Sequence, residues 1–216
     1  AKGSLWLVLA ALIVGLSGRG IVPVRRLSVG LFAAAFGCLA MGLQLAVMLA
    51  FQSLAGYLYH QIGILTALNM GGLALGGWLG GQRGLLSRAH LATPVLGYAA
   101  CALAYLFAPI TTALQSSPAA IPAALGLLAA LGGMLIGLLY PLTVALATSF
   151  AGTSEAAARV YAWDLLGGAV GALLGGLVLI PCLGVQTTAQ VLGNLSLAGV
   201  VLLSLTRRKP SPLPLS

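Results

Sequence analysis

The chain has 216 residues, of which 60% are hydrophobic and 6% are charged, and its mean hydropathy is +1.09. A soluble domain carries roughly a quarter charged residues, so this composition excludes a water-soluble surface. The net charge of +8 arises from ten Lys and Arg against two acids, Glu155 and Asp164. Basic residues held in cytoplasmic loops explain such an excess, so it does not indicate a nucleic-acid partner. The composition predicts an all-α, polytopic membrane protein.

Seven apolar segments follow one another along the chain, and a bilayer core of about 30 Å asks for roughly 20 apolar residues in each. They span residues 5–16, 27–54, 58–80, 91–114, 121–150, 161–180 and 188–205. The first is short, the fifth contains Pro141 and the sixth stops before Pro181. We expect an N-terminal helix and cytoplasmic loop over 1–26, a six-helix membrane domain over 27–206 and a cytoplasmic tail over 207–216.

The basic residues are distributed on one side of this seven-helix arrangement. Nine of the ten lie in alternate connections or in the tail, and only Lys2 lies on the other side. By the positive-inside rule, the N-terminus is outside and the C-terminus is cytoplasmic. The expected location is a bacterial inner membrane. The nine residues are Arg19, Arg25, Arg26, Arg83, Arg88, Arg159, Arg207, Arg208 and Lys209.

Glycines recur every four residues in two of the segments. The third segment contains Gly72, Gly76 and Gly80, and the sixth contains Gly167, Gly171 and Gly175. This spacing places each set on one helix face, where a second helix backbone can approach closely. Such a face can pack within the chain, bind a second subunit or form the moving surface of a transporter.

Asp164 is expected in the first turn of the sixth helix, on the cytoplasmic side. There it can form a latch with Arg159, or with Arg83 or Arg88 across a loop. The alternative is a transport or switching role, because carboxylates within a membrane are costly and usually functional. Glu155 is expected in the preceding loop, as a solvated or capping residue.

Other polar residues lie within the apolar segments. Gln44 and Gln52 are eight residues apart, and therefore face the same side of one helix, while Asn69 lies in the next. Such groups hydrogen-bond neighbouring helices or line a polar path.

Tyr57, Tyr59 and His60 mark the outer end of the third segment, as an aromatic belt or an outer-face contact. The other histidine, His90, lies about 30 Å along the helix, so the two cannot ligate one haem. The cysteines form no CxxC pair. We therefore expect no cofactor, no metal and, without a catalytic constellation, no enzymatic activity.

Two stretches carry a more specific pattern. They are GLQLAVMLAFQSLAGYLYHQIG at 42–63, followed by GGLALGGWLG at 71–80, and VYAWDLLGGAVGALLGGLVLIPCLG at 160–184. Over residues 27 to 206 the chain resembles the membrane portion of bacterial spermidine synthase-like integral membrane proteins, also described as fused major facilitator/spermidine synthase proteins. The resemblance implies a six-helix unit similar to half of a major facilitator. Gln44 stands where members often have Glu, and the soluble synthase domain is absent from this sequence, so we do not expect polyamine synthesis.

These features lead to one hypothesis and two alternatives. The first is a non-catalytic membrane subunit that anchors or scaffolds a larger complex through its glycine faces. The second is a transporter of a small or cationic, polyamine-like solute, acting as a dimer or a half-transporter. The third is the membrane anchor of an electron-transfer complex that contacts a periplasmic cytochrome or quinone. The expected partners are the lipid bilayer, other membrane subunits or a second copy, and a periplasmic protein, but no nucleic acid.

Overall fold

A computed structural model describes residues 24–56, 59–115 and 120–205. Six of its helices are long and apolar enough to cross a bilayer, so the chain is a multi-pass membrane protein. The helices are α1 (Val24–Ala55), α2 (Tyr59–Gly80), the short α3 (Arg83–Leu86), α4 (Ala89–Leu114), α5 (Ile121–Ala147), α6 (Thr153–Leu174), α7 (Ile180–Leu183) and α8 (Val185–Leu205), with a π-helical turn at Gly175–Leu179 between α6 and α7. The predicted segment 5–16 and the tail 207–216 lie outside the described residues.

The sixth predicted segment differs from the structure at both ends. Its helix begins at Thr153 rather than at 161, so Glu155 lies in the first turn and not in a loop. Glu155, the three following Ala residues and Arg159 all favour a helix, but the two charged residues lower the local hydropathy and so hide the start of the helix. The helical turns also continue past Pro181, which lies in the first turn of α7 directly after the π-helical turn.

The transmembrane helices pack in a pattern that repeats. The closest pairs are α2 with α5 and α6 with α1, while α8 packs on α1 and α5 packs on α4. In addition, α1 contacts α5 and α4 contacts α8. Exchanging α1, α2 and α4 for α5, α6 and α8 converts this set of contacts into itself. The bundle is therefore built from two structural repeats of three transmembrane helices.

The same repeat is present in the sequence. Residues 67–81 and 162–176, which are 95 positions apart, are identical at seven of fifteen positions. Residues 31–43 and 127–139, which are 96 positions apart, are identical at six of thirteen. Residues 95–106 and 191–202, also 96 apart, match at five of twelve. We call two residues related by these offsets pseudo-equivalent.

Each glycine-rich helix packs on its partner through its own glycines. In α2, a Cβ added to Gly72 or Gly76 would overlap the carbonyl oxygens of Ala130 and Met134 in α5. A Cβ at Gly80 would lie 2.6 Å from Cγ of Pro141 in the same helix. The predicted glycine row of α2 thus lies against another helix of the same chain.

The row of α6 repeats these contacts on α1. A Cβ at Gly167 or Gly171 would overlap the carbonyl oxygens of Ala34 and Cys38, the pseudo-equivalents of Ala130 and Met134. Gly175 is less tightly packed, because its nearest neighbour would be Cα of Gly42 at 3.8 Å. Both glycine faces are therefore packed against helices of the same chain, which weakens the hypothesis that they bind another subunit.

An odd number of crossings in each repeat has a geometric consequence. After three transmembrane helices the chain is on the opposite side of the bilayer, so the second repeat enters with inverted topology. The pseudo-two-fold axis then lies in the membrane plane, as in many secondary transporters. By the same alternation, Arg26, Arg83, Arg88 and Arg159 lie at one end of the bundle, which we call the basic end.

Candidate functional site

Asp164 lies well inside its helix. Eleven residues separate it from Thr153, the start of α6, and at 1.5 Å per residue this is about 16 Å along the axis. Asp164 therefore lies about three turns inside the membrane-spanning segment Thr153–Leu183 rather than in a first turn. Its pseudo-equivalent, Asn69, is likewise eleven residues from the end of α2 at Gly80.

The carboxylate of Asp164 borders a cavity of about 330 Å³ between four helices. This volume is at the lower end of ligand pockets, which range from about 300 to 1,000 Å³. The walls are apolar on α1 and mixed on α5 and α6. The lining residues are Phe32, Ala33, Phe36, Leu73, Ile136, Leu139, Tyr140, Thr143, Val160, Tyr161 and Asp164. We call this space the acidic cavity.

Three further polar side chains share the acidic cavity with Asp164. The hydroxyl of Thr143 donates to the Leu139 carbonyl oxygen at 2.7 Å, which leaves the hydroxyl oxygen as an acceptor. The Tyr140 hydroxyl lies 3.5 Å from the Ala157 carbonyl oxygen and within electrostatic range of Asp164 and Tyr161. A carboxylate among aromatic rings and hydroxyl oxygens provides acceptors and π faces, which suit a cation better than an anion.

The predicted latch is not formed. Arg159 pairs instead with Glu155, one helical turn earlier, with an N–O distance of 2.6 Å. Among the described residues, Asp164 has no ion pair with Arg159, Arg83 or Arg88. The physical reason is the early start of α6, which moves Asp164 inwards and away from the arginines near the helix end.

A second cavity is lined by pseudo-equivalents of residues that line the acidic cavity. It has a volume of about 40 Å³, and Gln44 and Asn69 are among its lining residues. These two are pseudo-equivalent to Tyr140 and Asp164. Several apolar positions also correspond, such as Leu128 in this cavity and Phe32 in the acidic one. We call it the amide cavity.

The amide cavity contains an unpaired polar atom. The Nε2 group of Gln44 is buried and has no hydrogen-bond partner within the described part of the protein. A buried donor without a partner costs stability, and a space of this size can hold an ordered water. Gln52, predicted on the same helix face, is partly buried but does not line either cavity.

The two cavities are stacked along the membrane normal. Along α5, which runs toward the basic end, residues 128 to 136 border the amide cavity and residues 136 to 143 border the acidic cavity. Leu73 and Ile136 line both. Two pseudo-equivalent cavities therefore lie on opposite sides of the midplane, and an apolar pair lies where they meet.

The side chains of the predicted outer-face group are not among those that the structure describes. Tyr57 is outside the described residues, while Tyr59 and His60 begin α2 and only their backbone is described. Within the parts of the chain that are described, no three His, Cys, Asp or Glu side chains are close enough to hold a metal ion.

Sequence reasoning found Gln44, Asn69 and Asp164 one by one, but it missed Tyr140 and the relation among them. The signal that could have found both is the internal repeat at an offset of 95 or 96 residues. In the sequence alone, that repeat pairs Asn69 with Asp164 and Gln44 with Tyr140.

No protein-family model, no curated protein and no solved structure matches this chain.

Proposed function

We propose that this protein is a membrane transporter for a small organic cation, with the acidic cavity as its binding site. The observation that carries the proposal is a carboxylate inside a membrane-spanning helix that borders a ligand-sized cavity. Asp164 forms no ion pair among the described residues, so its charge is available to a cationic solute. Intramembrane carboxylates that face a cavity typically mark a substrate or ion path.

The aromatic walls restrict the kind of cation. Phe32 and Phe36 are neighbours, with ring centroids 4.6 Å apart, and Tyr140 and Tyr161 complete the surroundings of the carboxylate. Ammonium groups that carry alkyl substituents gain from both cation–π attraction and apolar contact. A hydrated inorganic ion would gain little from such walls. We therefore propose an alkylammonium compound as the substrate class.

The inverted repeats supply a mechanism for passage. The acidic cavity is large and the amide cavity is small, although the fold relates them by a pseudo-two-fold axis. If the two repeats exchange conformations, the large space moves to the other side of Leu73 and Ile136. This is alternating access around a membrane-embedded site. The glycine contacts between helix backbones provide smooth surfaces on which such a rearrangement can occur.

The test uses the full chain in proteoliposomes and radiolabelled tetramethylammonium, a permanently charged probe that does not cross lipid unaided. We expect saturable uptake and competition by larger alkylammonium ions, but no competition by carboxylates of equal size. Asp164→Asn removes the charge and retains the shape. Removing one partner of a desolvated charge pair costs about 2 kcal/mol or more, so probe affinity should fall at least about thirtyfold.

Glu155→Gln is the matched control, because it removes the only other acidic residue of the sequence, which lies exposed in the first turn of α6. Its uptake should equal that of the unaltered protein. Equal uptake by the Asp164→Asn and Glu155→Gln variants, with both proteins intact by size-exclusion chromatography, would refute the acidic cavity as the binding site.

The scaffold and the electron-transfer anchor stay predictions. The glycine faces that motivated the scaffold are occupied by contacts within the chain. The His60 side chain, which motivated the electron-transfer anchor, is not among the side chains that the structure describes. The relation to spermidine synthase-like membrane proteins is likewise a proposal. It agrees with the present one in expecting a half-facilitator architecture.

A further inference from the structure

A third cavity lies at the basic end, where Val160 separates it from the acidic cavity and lines both. It has a volume of about 390 Å³ and is formed by the start of α1, the end of α5 and the start of α6. Two arginines and two aromatic residues are among its walls. The lining residues are Arg26, Leu27, Val29, Gly30, Ala147, Phe150, Ala151, Ala156, Arg159, Val160 and Trp163. We call it the arginine pocket.

Arg26 is held in place by groups that do not neutralise it. Its Nη2 donates to the Phe150 carbonyl oxygen at 2.8 Å, and its guanidinium carbon lies 5.6 Å from the centroid of the Phe150 ring. Of the five N–H donors of this guanidinium, this is the one for which a hydrogen bond to a described residue is observed. The fixed fork of Arg26 is therefore suited to bind an oxyanion with two oxygens at once.

Arg159 adds a second cation to the same pocket. Its pairing with Glu155 involves two side chains that are 51% and 54% exposed, so the pair is well screened by water. The carboxylate of Glu155 occupies part of the Arg159 fork and is not among the lining residues. With two arginines and one acid, the surroundings retain a net charge of +1, which matches a phosphodiester.

The internal repeat shows that this charge is not required by the packing. Trp163 lies against Gly30, where a Cβ would be 2.7 Å from the indole Nε1. At the pseudo-equivalent place, Leu68 lies against Gly126, where a Cβ would be 2.9 Å from its Cδ1. This helix–helix contact is thus repeated at the other end of the bundle. The pseudo-equivalents of Arg26 and Arg159, however, are Pro122 and Ile64. The chemistry is present at the basic end alone.

We propose that the arginine pocket binds the phosphate group of an anionic phospholipid. The two guanidinium groups would hold the phosphate oxygens, and the apolar walls formed by Val29, Ala147 and Val160 would contact the lipid's glycerol and upper acyl carbons. The pocket lies at the ends of transmembrane helices, where headgroups are located, and basic pockets between helices are known to bind such headgroups. This site is independent of the proposed transport activity.

The experiment measures lipid binding to the purified full chain by native mass spectrometry. Phosphatidylglycerol is titrated against phosphatidylcholine, and inorganic phosphate forms a third arm. We expect a preference for phosphatidylglycerol that falls about tenfold or more in the double variant Arg26→Gln/Arg159→Gln. The matched control is Arg83→Gln/Arg88→Gln, which removes the same charge from the same end but from residues that do not line the pocket. The control should keep the preference.

The outcomes separate the possible sources of the phosphate. Equal losses in the two double variants would overturn the proposal, because general surface charge would then explain the binding. Displacement of the lipid by millimolar inorganic phosphate, dependent on Arg26 and Arg159, would overturn the lipid assignment in favour of a free anion. If Arg26→Gln/Arg159→Gln fails to fold, Arg26→Lys and Arg159→Lys answer the question, since Lys keeps the charge but loses the fork. Unchanged affinity in both Lys variants would overturn bidentate recognition.

Discussion

Replacing Gly72 by Ala should separate two helices, and its neighbour Gly71 provides the control. A Cβ at Gly72 would overlap the Ala130 carbonyl oxygen and lie 2.9 Å from the Met134 backbone nitrogen. A Cβ at Gly71 meets nothing within 4 Å. Both changes raise intrinsic helix propensity by up to about 1 kcal/mol in soluble hosts. Only the change at Gly72 brings a methyl group against another backbone, which cannot rotate away.

The size of the effect follows from these contacts. Overpacking costs typically 1–3 kcal/mol, and backbone against backbone belongs at the upper end of this range. After the propensity gain, we expect Gly72→Ala to lower the free energy of unfolding by about 2 kcal/mol. For a chain of this size that corresponds to roughly 4–8 °C in Tm. Gly71→Ala should leave Tm unchanged or slightly raised.

The assay is thermal unfolding in detergent, followed by circular dichroism and by loss of the monodisperse peak. Gly167, the pseudo-equivalent of Gly72, would contact Ala34 in the same way, so Gly167→Ala should be destabilised to a similar degree. Equal Tm values for Gly72→Ala and Gly71→Ala would contradict the close approach of α2 and α5. If Gly72→Ala and Gly167→Ala differed widely, the pseudo-two-fold relation of the packing would be in doubt.

Three further changes test the cavities and one helix end by the same melting assay. Gln44→Met removes the buried Nε2 that has no partner and keeps the shape, so stability should stay the same or rise by about 1 kcal/mol. Asn69→Asp places a carboxyl group beside a cavity of about 40 Å³, whereas the cavity beside Asp164 has about 330 Å³. The free energy of unfolding should fall by about 1–3 kcal/mol. An unchanged value would mean that the amide cavity is well hydrated. Gly184→Ala forces a side chain onto a φ of +81° after α7 and should cost about 1 kcal/mol, whereas a neutral result would contradict that backbone conformation.

The amino-acid sequence determined the class of this protein and most of its helices. Low charge and long apolar runs leave burial in a bilayer as the only way to satisfy both the side chains and the backbone. The predicted ends of five segments are close to the helix ends observed, because Gly, Pro and polar residues interrupt the runs there. The glycine spacing also identified the faces that need a close neighbour, although not which neighbour.

The tertiary structure decided what the polar residues do. Hydropathy placed the start of α6 eight residues late, since Glu155 and Arg159 are polar but still favour a helix. That error moved Asp164 from the interior of the helix to its end and suggested an ion pair that is not formed. The relation of Asp164 to Tyr140, and of both to Asn69 and Gln44, depends on helix–helix contacts across distant parts of the chain. Local pattern gives the faces, but only packing in three dimensions brings them together around a cavity.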